Sequence, residues 1–436
     1  MYDLVAKNTK TFALVDSNNF YVSCERVWNP GLRDIPVLVL SNNDGCVVAR
    51  SNEVKDIGIK MGQPYFEIRD LCERNGVKVF SSNFTLYADF SWRVVQILRD
   101  FTRDLEVYSI DESFLDLQGV KEDLVSYGKK IRARVLKNIG IPTSIGIAST
   151  KTLSKVANKL AKKHPDFRAD GVCDLKNLTE KEIDNYLKDF YIGDIWGIGM
   201  ASTSKLTEAG IDTAYKLKHA DKSWIRKKMN VMGVRTIMEL QGISCMSLSL
   251  VRNHAKSIAS TRSFGKPVCS LEELEEAVTL YASRASEKLR KEKCTASIVN
   301  IFVKTNKHKK YLPQYFNSFS IAIEPSFYTP DIVKAALKGL RKIYKPGITY
   351  KKAGVMLFGI QKTELICQDL FDIEKGEKLR AKSKIMEAFD KINRKWGSNT
   401  VFLASRGVKQ AWTMRSFNRS PRYNTNWLEL PRIRIT

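Results

Sequence analysis

Residues 108–117 read YSIDESFLDL, a strand-like run with two adjacent acids, Asp111 and Glu112, in its middle. Neighbouring side chains of a straight strand point to opposite faces, and an unpaired carboxylate is costly to bury. The pair therefore marks a place where the chain turns. The flanking runs DLEVYSI and SFLDLQG read as a hairpin with Asp111 and Glu112 at its tip. Asp-Glu is not a favoured two-residue turn, where Asn-Gly or Asp-Gly is expected. Another demand selects these residues, although on the pair alone two solvated acids on an exposed turn serve equally well.

A third acid sharpens the reading. TFALVDS (11–17) is a short apolar strand ending in Asp16, and NNFYVSCERVW (18–28) reads as a helix with Asn18 or Asn19 at its N-cap. If both strands lie centrally in one sheet, Asp16 meets Asp111 and Glu112 at one end. Three carboxylates without histidine make a hard oxygen site suited to Mg²⁺. Two such ions can align an attacking hydroxyl, a phosphate and a leaving group. The helix opening after Asp16 offers backbone N–H groups to phosphate at the same point.

Charge supports that direction. The chain of 436 residues carries 72 Lys and Arg against 47 Asp and Glu, a net +25. Such an excess points to a polyanionic partner. Residues 1–120 hold 13 basic and 17 acidic groups, while the rest hold 59 and 30. An acidic N-terminal region joined to a basic remainder suits a metal site coupled to a nucleic-acid grip. The length implies roughly 2–4 domains. Eight cysteines without a CxxC, and only four histidines, argue against zinc and for a reduced compartment. No signal peptide or long apolar span is visible, so the chain reads as cytoplasmic and not membrane-bound.

Strands alternate with helices up to about residue 178, an α/β or α+β pattern. The region 179–250 turns helical and contains WGIGMASTSKLTEAGI (196–211). A basic linker follows at 251–257. The next stretch reads β-α-β-β-α-β, one compact sheet with two helices. The last 65 residues, 372–436, hold 15 basic and 6 acidic groups and read as an appended segment.

DSNNFYVSCE, GCVVARSNEVKDIGIKMG, YSIDESFLDL and SIGIASTKTLSKVANKLAK follow one another in order. This succession resembles the motifs of the Y-family, translesion DNA polymerases. TRSFGKPV (261–268) and the ending INRKWGSNTVFLASRGVKQAWTMRSFNRSPRYNTNWLELP (392–431) resemble the UmuC branch of that family. The likeness covers nearly the whole chain. It implies an α+β multidomain fold, a right-handed polymerase with ferredoxin-like palm, small fingers, helical thumb with a helix-hairpin-helix, and a β-α-β-β-α-β little finger. The palm would be 1–27 and 92–178, the fingers 28–91, the thumb 179–250 and the little finger 258–366. A basic C-terminal segment, 367–436, would follow.

The resemblance also implies roles. Asp16, Asp111 and Glu112, with the Ser17 carbonyl, would hold two Mg²⁺ ions, and the substrate would be a deoxynucleoside triphosphate. Tyr21 would be the steric gate against a 2′-hydroxyl. Asn19, Phe20, Asn52, Lys55 and Lys162 would contact the triphosphate, with Arg50 a nearby substitute. Many relatives carry Tyr and Arg where this chain has Asn52 and Lys55, so bidentate guanidinium recognition is lost. Lys155, Lys159 and Lys163 read as a solvated face. Gly197 and Gly199 would let backbone approach DNA phosphate. Arg262, Lys304, Lys307, Lys309 and Lys310 would hold DNA on the little finger. CQDLF (367–371) lies where relatives carry a clamp-binding peptide, with Leu370 and Phe371 as anchors. Its first two residues depart from the pattern, and an ordinary linker accounts for it equally well.

The implied activity is error-prone primer extension opposite damaged template. The implied setting is SOS-type repair with primer-template DNA, a UmuD-like accessory dimer, a RecA filament and the sliding clamp as partners. A catalytically silent DNA-binding scaffold is the first rival, and the retained acids oppose it. A nucleotide cyclase on a similar palm is the second, and the helix-hairpin-helix with the basic second module opposes it.

Overall fold

A computed structural model of the chain describes residues 10–251, 255–363, 373–408 and 410–431. They fall into two compact units. The first comprises residues 10–41, 45–251 and 418–431; the second comprises 42–44, 255–363, 373–408 and 410–417.

The first unit begins with β1 (Phe12–Ser17) and α1 (Phe20–Trp28). A small sheet with its own core follows, made of β2 (Val37–Leu40), β3 (Val47–Arg50) and β4 (Lys78–Ser81). Between β3 and β4 lie α2 (Asn52–Asp56) and α3 (Tyr65–Arg74). Next come α4 (Phe84–Leu98), β5 (Leu105–Val107), β6 (Glu112–Asp116), α5 (Leu124–Ile139), β7 (Thr143–Ala148) and α6 (Lys151–Lys163). The short α7 (Pro165–Arg168) and β8 (Val172–Asp174) complete this part.

The large sheet has the order β5-β6-β1-β7-β8, so β1 is central, antiparallel to both neighbours. Ala13 and Val15 of β1 enter the core that also holds α1, α4 and α5 residues. The alternate positions, Leu14 and Asp16, belong to the α6 face, because strand side chains alternate. Gly146 of β7, the cross-strand partner of Leu14, explains how closely α6 lies there. A Cβ at Gly146 would sit 2.0 Å from the Asn158 backbone nitrogen and 2.3 Å from the Ser154 carbonyl oxygen. Ser154 Oγ and Asn158 Nδ2 donate to β1 carbonyls and fasten the helix. Thr150 caps α6 by accepting from the Leu153 amide.

Helices α8 (Glu180–Lys188), α9 (Met200–Glu208), α10 (Ala214–Lys218) and α11 (Lys222–Leu240) share a core with the inner face of α6. A capping box between Thr179 and Glu182 starts α8.

The second unit runs β9 (Ile258–Val268), α12 (Leu271–Lys291), β10 (Cys294–Lys304), β11 (Phe316–Ser326), α13 (Thr329–Ile343) and β12 (Tyr350–Phe358), as the sequence pattern predicts. Its sheet has the order β11-β10-β12-β9, with the short β13 (Gln361–Lys362) pairing to β10. Helices α12 and α13 contribute to its single core.

The C-terminal segment is more than an appendage. Its helix α14 (Ile373–Trp396) docks in the second unit, where Arg290 grips Asp390 with two hydrogen bonds of 2.7 Å. Trp412 is buried against Phe264 and Tyr281. Residues after Phe417 belong instead to the first unit. Among the described residues, the cysteines are free, and no helix is long and apolar enough to cross a membrane.

Candidate active site

Asp16 and Glu112 are direct cross-strand partners of β1 and β6, which puts both side chains on the α6 face. Asp111 precedes the first residue of β6 and lies in the bend, free of strand alternation. Its backbone carbonyl accepts from the Ser17 amide at 2.9 Å. Ser109 shapes the bend: its Oγ donates to Asp111 Oδ1 at 2.5 Å and accepts from the Asp111 and Glu112 amides.

The acids face lysines. Lys162 Nζ lies 2.6 Å from Asp16 Oδ2, and Lys155 Nζ lies 2.9 Å from both carboxylate oxygens of Glu112. Two turns of one helix separate these lysines, so they share a face. Lys155 was expected on a solvated face; instead it sits inside the site. Its ammonium stands over the rings of Tyr108, Trp196 and Phe114, at 4.4, 5.4 and 5.8 Å. Trp196 Nε1 donates to the Tyr108 hydroxyl at 2.9 Å and closes this aromatic cage. Lys159 likewise pairs with Asp194.

Burial pushes the Asp16 carboxyl up to about 6; Lys162 opposes the rise, and repulsion from Glu112 and Asp111 adds to it. Among the described residues, no three Asp, Glu, His or Cys side chains already converge closely enough to hold a metal ion. In kind, the all-oxygen donor set still fits a hard divalent cation. Such a cation would relieve the repulsion felt at Asp16 once the lysines give way.

Beside the acids, Asn19 takes a left-handed conformation, φ 47°, and caps α1 without a side-chain hydrogen bond. Its side chain turns to the α2 helix instead. Lys55 Nζ donates to Asn19 Oδ1 at 2.7 Å and to Asn52 Oδ1 at 2.9 Å. Burial depresses the Lys55 ammonium pKa, and the charges of Arg50, Lys162 and Lys163 depress it further. An anion beside α1's first-turn amides would relieve that crowding of cations. Phe20 is buried in the core, so only its backbone can serve. Arg50 Nη1 donates to the Ile59 carbonyl, and the charge of Arg50 bears on Lys55.

Tyr21 is half-buried. It stacks on Tyr87 at 4.4 Å with 15° between planes, and Phe84 meets it edge-on at 6.0 Å. Burial raises its pKa first, and the Asp111 charge second, which places the phenol within the field of Asp111.

Residues 15–159 match the impB/mucB/samB family, residues 255–369 match the C-terminal domain of that family, and residues 383–433 match a domain of unknown function, DUF4113. Protein UmuC of Salmonella typhimurium is 42% identical over 426 residues, spanning 97% of this chain and all of that protein. The chain belongs to the impB/mucB/samB family. Protein ImpB of Salmonella typhimurium, another relative in this family, is 39% identical over 430 residues, covering 97% of this chain and 100% of its own. The fold agrees with a solved Y-family DNA polymerase chimera, Dbh-Dpo4(243-245)-Dbh, at a TM-score of 0.64 and 20% identity. That match covers 81% of this chain and 99% of the other.

The remaining expected residues lie elsewhere in the family's frame. Gly197 (φ 89°) and Gly199 are exposed in the loop before α9. In the second unit, Arg262 is exposed on β9 and Lys304 at the end of β10; Lys307, Lys309 and Lys310 are exposed in the loop that follows. The fold sets Lys351, Arg406 and Arg415, which the sequence pattern does not single out, among such cations. Burial lowers the Lys351 pKa, and Arg415 and Lys309 lower it further. Burial likewise lowers the Arg284 pKa, with Arg262 and Arg406 adding to it. Only proximity in the fold unites Lys351, Arg415 and Lys309, which are far apart in sequence. Leu370 and Phe371 lie outside the described residues.

Proposed function

We propose that Asp16, Asp111 and Glu112 form the active centre of an error-prone, UmuC-type translesion DNA polymerase. The chain is a DNA-directed DNA polymerase of the Y family, and its substrates are a divalent-metal-bound deoxynucleoside triphosphate and template DNA. The observation that carries the site assignment is the register pairing of Asp16 with Glu112, with Asp111 freed in the adjoining bend.

The three carboxylates and the Ser17 carbonyl hold two Mg²⁺ ions. When bound, the pair neutralises charge on the triphosphate and eases ionisation of the primer 3′-hydroxyl. Glu112 lies nearest the primer. Lys162, Lys55, Asn19, Asn52 and the first-turn amides of α1, including that of Phe20, grip the triphosphate and set it in line for attack. Tyr21 lies under the sugar and excludes a 2′-hydroxyl.

The palm takes residues 1–27 and 92–178, entering within α4. The fingers take 28–91, the thumb 179–250 and the little finger 258–366. The amides around Gly197 and Gly199 hold duplex phosphate. Arg262, Lys304, Lys307, Lys309 and Lys310, joined by Lys351 and Arg415, hold it on the little finger without reading sequence. The setting is SOS-type lesion bypass in the cytoplasm, with a UmuD-like dimer, a RecA filament and the sliding clamp as partners.

Primer extension with Mg²⁺ on intact and abasic templates tests this reading. Wild type extends both; Asp111→Ala extends neither. Equal extension by the two proteins would remove the site assignment.

A further inference from the structure

The matched domain of unknown function ends in a segment that belongs to the first unit and reaches Glu25, the carboxylate bonded to Tyr87 beneath Tyr21. The Ser81 amide donates to the Asn418 carbonyl at 3.0 Å, and the Asn418 amide donates to Ser81 Oγ at 3.0 Å. This contact lays the segment beside β4. Ser420 then enters the interior, only 7% exposed. Its Oγ donates to Glu25 Oε1 at 3.0 Å, and the Tyr87 hydroxyl donates to the same oxygen at 2.6 Å. Asn83, at the start of α4, donates to the Ser420 carbonyl and hydroxyl oxygens at 2.9 and 3.1 Å. Further along, Tyr423 stacks on Trp28 at 5.1 Å. Asn424 accepts from Trp28 Nε1 at 2.6 Å and donates to Asp89 Oδ2 at 2.7 Å.

Apart from the Ser81 pair on β4, these contacts fall on α1 or at the start or along the length of α4. Helix α1 carries Tyr21, and α4 carries the two rings that touch it, Tyr87 and Phe84. The segment therefore ties together the two helices whose spacing sets the stack. Glu25 is the junction, a carboxylate 2% exposed that receives one donor from α4 and one from the segment. A buried carboxylate that loses a donor keeps its desolvation cost, so its surroundings rearrange. Tyr87 is the group joined to it, and Tyr87 lies flat against Tyr21.

We propose that residues 418–424 are a specificity brace. Through Glu25 and Tyr87 they fix the height of the Tyr21 ring and so set how strictly the polymerase rejects ribonucleotides. This rests on the reading of Tyr21 as the sugar gate. Ser420 and Asn424 are positioning residues, since neither touches the gate.

The test measures kcat/KM for a deoxynucleotide and for the matching ribonucleotide on one primer-template, using full-length protein. The ratio of the two is insensitive to the fraction of folded enzyme. Ser420→Ala and Asn424→Ala are expected each to lower it about threefold to tenfold, the scale of one lost hydrogen bond. Ser420→Thr, which keeps the hydroxyl, is expected to restore it. In a Tyr21→Ala background Ser420→Ala should add nothing, because the brace acts only through the gate. If Tyr21→Ala itself leaves the ratio unchanged, the gate reading fails and the brace falls with it. If Tyr21→Ala lowers the ratio while Ser420→Ala and Asn424→Ala stay within about twofold of wild type, a difference under 0.5 kcal/mol, the brace alone is overturned. A full additional effect of Ser420→Ala in the Tyr21→Ala background would also overturn it.

Discussion

Asp16 and Glu112 stand opposite each other on adjacent antiparallel strands, and one helix supplies a lysine to each: Lys162 at 2.6 Å and Lys155 at 2.9 Å. Two acids side by side in a sheet repel. Helix α6 offsets that repulsion with ammonium groups on the same oxygens a metal would need.

On the proposed assignment, lysine and metal would compete. Lys155→Ala is expected to tighten Mg²⁺ binding several-fold without nucleotide, whereas Asp16→Asn weakens it about tenfold or more. Lys162→Ala should also tighten Mg²⁺ alone yet raise KM for the triphosphate about tenfold, because a charge-assisted phosphate contact is lost. Calorimetric Mg²⁺ titrations and steady-state kinetics separate the two effects. Unchanged Mg²⁺ affinity in both lysine variants would show that no competition exists.

The lysines reach the acids because α6 lies directly on β7. Gly146→Ala puts a methyl against the Asn158 amide, where only backbone can yield. The variant is expected to lose about 2–4 kcal/mol of stability in denaturant unfolding, as in severe overpacking. Primer extension should fall with it, because the lysine face moves off the acids. A loss below about 0.5 kcal/mol would mean that the helix is not seated as described.

Glu25 supplies a pH test. Burial pushes its carboxyl up to about 6 from the ordinary 4.5, against the donors Tyr87 and Ser420. The folded state thus holds this proton more tightly than the unfolded chain does. The associated stability is present below the unfolded value and is lost as pH rises through about 6. Glu25→Gln keeps an oxygen acceptor and removes the charge. Its stability relative to wild type is expected to rise by about 2 kcal/mol between acid and neutral pH. A difference that does not change with pH would contradict the assignment.

Lys351, Arg415 and Lys309 crowd one another in the second unit, and phosphate relieves such crowding. Lys351→Glu is expected to weaken duplex binding at low salt and to reduce the salt slope of log K by about 1 to 2. Fluorescence anisotropy across a salt series reads both. An unaltered slope would place DNA elsewhere.

Much of the fold was legible because apolar runs alternate with amphipathic ones, and the β-α-β-β-α-β order of the second unit follows from that pattern alone. The pairing of Asp16 with Glu112 was not, since strand register depends on partners 96 residues apart. Lys155 looked like surface because its partner lies 43 residues away, although its seven-residue spacing to Lys162 was a usable sign. The Ser420 contacts left no trace at all: a short polar stretch without periodicity carries no sign of what it touches. The bond from Arg50 to the Ile59 carbonyl was equally hidden, since a local backbone acceptor leaves no mark in the sequence.

The central claim is that Asp16, Asp111 and Glu112 perform nucleotidyl transfer. Single-nucleotide insertion under saturating triphosphate and Mg²⁺ tests it most directly, comparing wild type with Asp111→Asn, which keeps shape and removes charge. The predicted result is a fall in the insertion rate of about a hundredfold or more with primer-template affinity preserved, since a carboxylate that would hold a cation polarising the reacting phosphate is worth several kcal/mol. Insertion by Asp111→Asn at the wild-type rate would contradict it.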